Sequence, residues 1–381
     1  MPLLGWLLRP GRLILLALLV AAIVAGIAYG SWIHSQLRAI GVITTAYETP
    51  VLSWATRKVT KEPTLADTSI AGVPATVARP GGDGPWPTIL LLNGATEAGR
   101  RDADVVRVAL GLARVGYLVA IPDTPSLLAG DATVDVLDRT LAVSRALASR
   151  QGTRDGRLGI VGLGLGGTFG LLVAQDSQLA PRISTVVAIT PVTDLVELGR
   201  LATTGYTRVQ NGYAKRPVPR ELRASVIDAI VQTLPDDPAS RLVRQALANA
   251  GNDPLAALDR VPLDLLDDDT AAVVALLRND DPRRYDRLYA ALPPEIRSTV
   301  ERLSPLEGAS RLRAPVEIAT AADDPYVPLA QARALERASD AVRVTVADAF
   351  SSTGGAPSLD DAGAFFAIDG LIVRALKNAA R

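Results

Sequence analysis

Residues 157–174 read RLGIVGLGLGGTFGLLVA, a short apolar strand followed by a glycine-rich turn and the first turns of a helix. Two kinds of site use such a turn. One is a phosphate-binding loop, G-x-G-x-x-G, which Gly162, Gly164 and Gly167 match. The other is a nucleophile turn, G-x-S-x-G, which Gly162 and Gly166 match, with Gly164 where the serine should be. The chemistry open to the chain depends on which of the two is correct.

The composition of the chain excludes several classes of site. Its 381 residues, 48% of them hydrophobic, suffice for one large α/β domain with an insertion or for two domains. The 40 basic and 40 acidic residues cancel, so we expect no nucleic-acid partner. There is no cysteine, and the only histidine is His34. The acidic run Asp267–Asp269 is typical of a solvated surface, so we expect no metal site and no cofactor.

The N-terminal region contains a candidate membrane anchor. Residues 13–33 carry no charge and as a helix would span roughly 30 Å, the thickness of a bilayer core. Two arginines precede this run, so the positive-inside rule places residues 1–12 in the cytoplasm. A cleaved signal peptide is the alternative, although the run is long for one. We expect a single-pass anchor in the cell membrane, a juxtamembrane linker over residues 34–66 and an extracytoplasmic domain.

After the linker, apolar strands alternate with helical segments. The pattern predicts a hairpin over 68–79, strands over 88–92, 117–121, 183–189, 315–320 and 342–347, and helices over 102–115, 134–150, 329–338 and 360–376. Such alternation indicates a mostly parallel sheet with helices on both faces. Residues 195–305 contain helical segments and no convincing strand. We therefore expect an α/β core over residues 67–194 and 306–381, interrupted by a helical insertion over 195–305 that we call the cap.

A phosphate-binding loop predicts an acidic residue at the end of the following strand, where it would hold a ribose. That strand ends around residues 188–190 without a carboxylate, and the nearest one, Asp194, lies beyond Pro191. The loop also follows two earlier strand–helix units, whereas the first such unit is the usual place for it. These points disfavour a dinucleotide site.

A nucleophile turn predicts further features in a fixed chain order, with the acid and then the histidine following the nucleophile. Residues 91–95, LLNGA, follow an earlier strand and suit an oxyanion loop. Residues 322–328, ADDPYVP, follow the first strand after the cap and contain Asp324. Asp324 could equally cap the helix that comes next. The order and spacing of these segments favour the nucleophile turn.

The segment from about residue 67 to 376 resembles the α/β-hydrolase superfamily, most closely its bacterial dienelactone-hydrolase-like and acyl-peptidase-like members. The resemblance rests on LLLNGATEAGR (90–100), LARVGYLVAIPD (112–123) and the return from the cap, LSPLEGASRLRAPVEIATAADDPYVP (303–328). It implies the α/β-hydrolase fold. The residues that it implies for the site are the triad-equivalent positions Gly164, Asp324 and Ser352, the oxyanion-hole positions Ala95 and Leu165, and the pocket residues Asn93, Gly94, Tyr326 and Ser351.

The chain departs from the superfamily at two of the three triad positions. Gly164 has no side chain at the nucleophile position, and Ser352, or its neighbour Ser351, stands where the histidine is expected. A serine nucleophile needs a base to take its proton, and no lysine or histidine lies near the motif positions. Thr168, in the first helical turn after Gly164, has no base either. Only the acid, Asp324, is retained.

Three functions are compatible with this pattern. The first is a membrane-anchored, catalytically degenerate α/β-hydrolase-like protein, a pseudoenzyme whose cleft is kept for a small ligand or a partner. The second is an active hydrolase of esters or peptides with an unrecognised nucleophile or base. The third is a cell-surface scaffold or binding protein. The sequence identifies no protein partner for any of them.

Overall fold

The computed structural model describes residues 62–94, 98–123, 132–250, 254–350, 370–371 and 374–380. Within these ranges, no helix is both long enough and apolar enough to cross a membrane. The anchor predicted over residues 13–33 and most of the linker predicted over 34–66 lie outside them.

The core of the described chain is an eight-stranded, mostly parallel sheet in the order β1-β2-β4-β3-β5-β6-β9-β10. Its strands are β1 (Thr64–Ile70), β2 (Val73–Arg79), β3 (Trp86–Leu92), β4 (Leu118–Pro122), β5 (Thr153–Leu163), β6 (Ile183–Ile189), β9 (Val316–Thr320) and β10 (Val342–Val346). β1 and β2 form the predicted hairpin, and β2 also pairs antiparallel with β4. All other neighbours are parallel, as the alternation of strands and helices predicts.

Helices cover both faces of this sheet. They are α1 (Ala103–Arg114), α2 (Val134–Ala148), α3 (Leu165–Gln175), α11 (Leu329–Ala338) and a final helical stretch at 374–379. Alternate residues of β3 show the two layers, because Leu90 and Leu92 belong to the core cluster with α2 and α3, whereas Ile89 and Leu91 belong to the one with α1. Every residue of β3 after Trp86 is buried, as expected for a central parallel strand.

In the described residues between β6 and β9, the chain forms seven α-helices. They are α4 (Leu195–Thr204), α5 (Arg220–Gln232), α6 (Pro238–Ala248), α7 (Pro254–Asp259), α8 (Asp268–Leu277), α9 (Pro282–Ala290) and α10 (Pro294–Arg302). They enclose an apolar cluster of their own, which includes Val231, Val243 and Val273. We expected no strand in this segment, and that prediction is wrong. β7 (Tyr206–Val209) and β8 (Gly212–Lys215) form a short antiparallel hairpin.

The two ends of the cap meet beside the sheet. The amide of Leu306 donates to the carbonyl of Thr193 (2.9 Å), and the amide of Leu195 donates to the hydroxyl of Ser304 (3.1 Å). Gln331 of α11 holds the first junction, since its side-chain oxygen accepts from the Thr193 amide at 2.9 Å. The cap therefore leaves the core and returns to it at one place, next to the carboxyl ends of β6 and β9.

Candidate functional site

The glycine turn lies between β5 and α3, in the middle of the sheet. Gly164 is the single residue between the two elements and has φ +52° and ψ −122°, a backbone conformation that L side chains rarely adopt. Its amide donates to the carbonyl of Ile189 (2.8 Å), which ties the turn to the end of β6. A Cβ added to Gly164 would meet no atom of the described residues within 4 Å. Within the described part of the chain, the turn thus has room for a side chain at this position, and glycine supplies none.

The flanking glycines are needed for close packing. A Cβ on Gly162 would run into the backbone of Gly166, and a Cβ on Gly166 would run into the carbonyl of Leu92 on β3. α3 therefore starts in contact with the strands, as a strained strand-to-helix turn requires.

Asp194 does not hold the place that a ribose-binding carboxylate would need. Its side chain begins α4, where one carboxylate oxygen accepts from the amides of Val196 (2.9 Å) and Glu197 (3.1 Å). Burial raises the pKa of this carboxyl, while the amides act in the opposite direction. Asp194 is thus occupied in capping a cap helix, which leaves the dinucleotide interpretation without its acidic residue.

Thr168 has a structural role in the turn. Its side chain is buried, donates to the carbonyl of Val192 (2.9 Å) and accepts from the Val192 amide (3.0 Å). These bonds fasten the first turn of α3 to the segment that follows β6. They use the only proton that the hydroxyl can donate, so the Thr168 side chain is held as part of the turn.

Asp324 lies in the loop after β9 and is fully buried. One of its carboxylate oxygens accepts from the amides of Tyr326 (3.0 Å) and Val327 (2.8 Å), and its carbonyl accepts from Arg216 of the cap (2.8 Å). The residue that precedes α11 is Pro328, so Asp324 shapes the loop and does not cap that helix.

The structure brings three of the predicted site residues together. Gly164, Leu165 and Tyr326 all line one cavity of about 400 Å³ between the carboxyl edge of the sheet and the cap. Val327, held by Asp324, lines it as well.

Three other predicted site residues, Asn93, Gly94 and Asp324, are described by the structure and are not part of this cavity wall. Asn93 and Gly94 do not line it; the Asn93 side chain is buried, donates to the carbonyl of Gly99 (3.0 Å) and accepts from the Gly94 amide (3.0 Å). Ala95, Ser351 and Ser352 lie outside the described residues.

The wall of the cavity is mostly apolar carbon. Side chains that contribute to it include Leu165, Val192, Leu198, Val226, Ile296 and Leu303. The sheet edge and α3 form one side, and helices α4, α5, α9 and α10 form the other. A volume of this size lies in the range of pockets that enclose small organic ligands.

Two stacked tyrosines of α9 complete the wall. The rings of Tyr285 and Tyr289 lie 6.4 Å apart at 11°, and the guanidinium of Arg200 lies 4.6 Å from the Tyr285 ring. Burial raises the pKa of Tyr289 to about 12 and raises that of Tyr285 even further. Both tyrosines are therefore neutral at physiological pH.

Charged side chains are scarce along this wall. Glu221, an exposed residue in the first turn of α5, is the only residue with a formal charge among those that line the cavity in the described structure. Over the same described ranges, no three acidic or histidine side chains converge as metal ligands would. Asp267, in the acidic run, accepts from the Thr270 amide (2.9 Å) at the start of α8.

Sequence reasoning did not identify the cap side of this site. Leu222, Val226 and Ile230 of α5 line the cavity at a spacing of four residues, a pattern that marks one helix face without saying what it faces. Thr190 also lines the cavity and has φ +45°, which is unusual for a β-branched residue. No sequence pattern indicates that backbone conformation.

Comparison with known proteins agrees with this architecture. Residues 71–327, more than half of the 381-residue chain, match the family described as X-Pro dipeptidyl-peptidase (S15 family). The match includes the glycine turn, the cap and the Asp324 loop. No curated protein matches the chain.

Several solved structures resemble the chain at low sequence identity. The 2,6-dihydroxy-pseudo-oxynicotine hydrolase is 16% identical, with a TM-score of 0.43 over 82% of this chain and 69% of that one. Est1E from Butyrivibrio proteoclasticus is 12% identical, with a TM-score of 0.45 over 84% and 100%. An acylaminoacyl peptidase from Pyrococcus horikoshii is 13% identical, with a TM-score of 0.44 over 78% and 39%. From its family match and its sheet, the chain belongs to the S15 peptidase family of the α/β-hydrolase superfamily.

Proposed function

We propose that this S15-family member binds a small molecule in the cavity beneath its cap and does not hydrolyse it by a serine mechanism. The observation that carries the proposal is Gly164, which lies at the tip of the strand-to-helix turn with no described atom within 4 Å of where a Cβ would project. Without a hydroxyl at this position, the turn has no nucleophile for acyl transfer.

The rest of the chain supports the same proposal. The sequence contains a single histidine, His34, and it lies next to the predicted anchor rather than after β10. Thr168 is committed to the Val192 backbone. The cavity itself is well formed and lined by two neutral tyrosines, so loss of the nucleophile leaves a binding site in place.

A fluorophosphonate probe tests the proposal, because it reacts covalently with activated serines. The purified full-length chain is incubated with the probe and analysed by intact-mass spectrometry, with an active serine hydrolase as positive control. We expect no adduct on the wild type, and none on Gly164→Ser, which supplies a hydroxyl but no base. A stoichiometric adduct on the wild type, mapped to a residue of the cavity, would overturn the proposal.

An active hydrolase of peptides or esters is the second candidate, and the family match favours it more directly than it favours a degenerate protein. Turnover of X-Pro anilides or of short acyl esters would support it if it depended on the buried Asp324. Asp324→Asn is compared with Asp323→Asn, since Asp323 is the adjacent, exposed carboxylate. Activity lost only in Asp324→Asn would establish this candidate, and equal activity in all three proteins would point to a contaminant.

We also propose that residues 13–33 anchor the chain in the cell membrane, with residues 1–12 in the cytoplasm and the domain outside. The support is the length of the uncharged run and the arginines that precede it. The chain should then stay in the membrane pellet at alkaline pH, and protease added to spheroplasts should remove the domain. Release of the full domain at alkaline pH would contradict the proposal.

A further inference from the structure

The cavity also indicates the chemical class of its occupant. This inference rests on the proposed function, since it takes the cavity to be the binding site. Three observations bear on it: the charge of the wall, the way in which the two tyrosines face the cavity, and the shape of the apolar surface.

The charge of the wall disfavours anions. No arginine or lysine lines the cavity in the described structure, and Glu221 is the only charged residue that does. A carboxylate or a phosphate inside would lose its hydration without gaining a counter-charge, which is strongly unfavourable. Arg200, the nearest buried cation on α4, is engaged with Glu197 and Asp286 and does not line the cavity.

Of the two tyrosines that line the wall, Tyr289 does not offer its hydroxyl to the cavity. The hydroxyl of Tyr285 lies against Gly199, where an added Cβ would collide with it. The hydroxyl of Tyr289 is shut off from solvent and has no hydrogen-bond partner in the described structure. The Tyr289 hydroxyl is therefore not offered to an occupant, whereas the Tyr285 hydroxyl lies beside Gly199, which is itself part of the cavity wall.

A peptide segment fits such a wall poorly. Each peptide unit brings an N–H and a carbonyl, and leaving either unpaired in an apolar site has a substantial free-energy cost. The apolar faces of α5 and α10 run along the cavity, with Leu222, Val226 and Ile230 on one and Ile296 and Val300 on the other. An aliphatic chain makes good contact with such a surface and needs no hydrogen bonds along its length.

We propose that the cavity binds an uncharged aliphatic molecule, such as a medium-chain alcohol or ester, and that it discriminates against anions and against peptides. The apolar wall supplies the affinity through burial of methylene groups. The lack of cationic side chains in the described part of the wall supplies the discrimination against anions, and the scarcity of hydrogen-bonding groups along the apolar helix faces supplies that against peptides.

Equilibrium dialysis of radiolabelled compounds against the full-length chain in nanodiscs tests this, with empty nanodiscs as the blank. From hexanol to octanol to decanol, the affinity should rise about fourfold per methylene while the chain still fits. Octanoate should bind at least about tenfold more weakly than octanol. N-acetyl-Ala-Pro-amide, an uncharged peptide of the kind suggested by the family's description, should not bind measurably.

Two tryptophan variants assign the binding to the cavity. Val226→Trp fills the cavity and should abolish octanol binding. Val209→Trp adds the same side chain at an exposed position of the β7–β8 hairpin, outside the cavity wall, and should bind like the wild type. If Val226→Trp does not fold, Ala229→Leu narrows the same wall and should remove the gain from octanol to decanol.

The outcomes separate the two proposals. If octanoate or the peptide binds as tightly as octanol and Val226→Trp abolishes that binding, the ligand class is wrong while the binding function stands. If none of these compounds binds above the blank, the inference fails. Covalent labelling by the fluorophosphonate probe is a different result, and it removes the proposed function whatever the dialysis shows.

Discussion

Replacement of Arg200 should destabilise the cap far more than replacement of Arg208, although the two arginines share their partners. Arg200 pairs with Glu197 at 3.0 Å and with Asp286 at 2.6 Å, and its side chain is 0% exposed. Arg208 pairs with the same carboxylates at 3.2 and 2.8 Å, but its side chain is 52% exposed. Because both arginines pair with the same two carboxylates, the two variants differ chiefly in the burial of the side chain that is removed.

The size of each effect follows from burial. Loss of Arg200 removes hydrogen bonds to both carboxylates, one to the carbonyl of Pro282 (3.1 Å) and the contact with the Tyr285 ring. Removing one partner of a buried ion pair typically costs about 3–5 kcal/mol, and we expect the low end because Asp286 is half exposed and regains water. An exposed pair such as that of Arg208 contributes about 0–1 kcal/mol.

Urea unfolding of Arg200→Ala and Arg208→Ala, followed by far-UV circular dichroism at pH 7, measures the difference. Measurement at neutral pH matters because the arginines lower the pKa of Asp286 despite its burial, so its contribution to stability is present at pH 7 and disappears as the pH falls through that lowered value. We expect Arg200→Ala to lose at least about 2 kcal/mol more than Arg208→Ala. Equal losses in the two variants would refute the argument from burial.

Three further predictions concern the core. Gly164→Ala should fold, with a free energy of unfolding about 1–3 kcal/mol lower because of backbone strain. Gly166→Ala, whose Cβ would collide with the backbone, should have a still lower melting temperature than Gly164→Ala. The reverse order of melting temperatures would contradict the argument that close packing requires glycine at 166. Asp194→Asn keeps a capping side chain but cannot ionise. Because burial raises the pKa of Asp194, the wild type should lose stability relative to this variant as the pH rises from 4 to 7. Urea unfolding of both proteins at each pH measures this difference. Arg374→Ala leaves the buried Glu317 without its bidentate partner and should lower the free energy of unfolding by about 3 kcal/mol. This loss should exceed that of Glu317→Gln when both variants are unfolded in urea in parallel. A smaller loss in Arg374→Ala would show that the pair is dispensable.

Much of the core follows from local sequence patterns. The predicted bounds of β6 and α11 coincide with those observed, because each element has a clear apolar period and is bounded by proline or by polar residues. β5 begins at Thr153, before the apolar run from which the strand was predicted. Its first residues include charged ones and give no strand signal, so the sequence does not predict this earlier start. The glycine turn is predictable in part from local packing, because a Cβ on Gly162 would meet the backbone of Gly166; the need for glycine at 166 comes from Leu92 on β3, far away in the chain.

The cap side of the site depends on tertiary contacts and could not be predicted in the same way. The β7–β8 hairpin is short and polar, and Arg208 on β7 is fixed by Glu197 and Asp286 of two different helices. The cavity wall combines faces of α5, α9 and α10, which are brought together only by the fold. An apolar helix face indicates burial, and only the structure distinguishes a core from the wall of a cavity.

The hydrogen bond between Leu306 and Thr193, where the two ends of the cap meet, has a consequence for folding. It joins residues about 110 positions apart, and closing a disordered loop of that length has an entropic cost of roughly 4 kcal/mol. The cap has its own apolar cluster, which includes Val231, Val243 and Val273, and the contacts within it close loops much shorter than the one that ends at Leu306. A cap that collapses first brings its ends together, so β9 pairs with β6 across a compact insertion instead of across a long disordered loop.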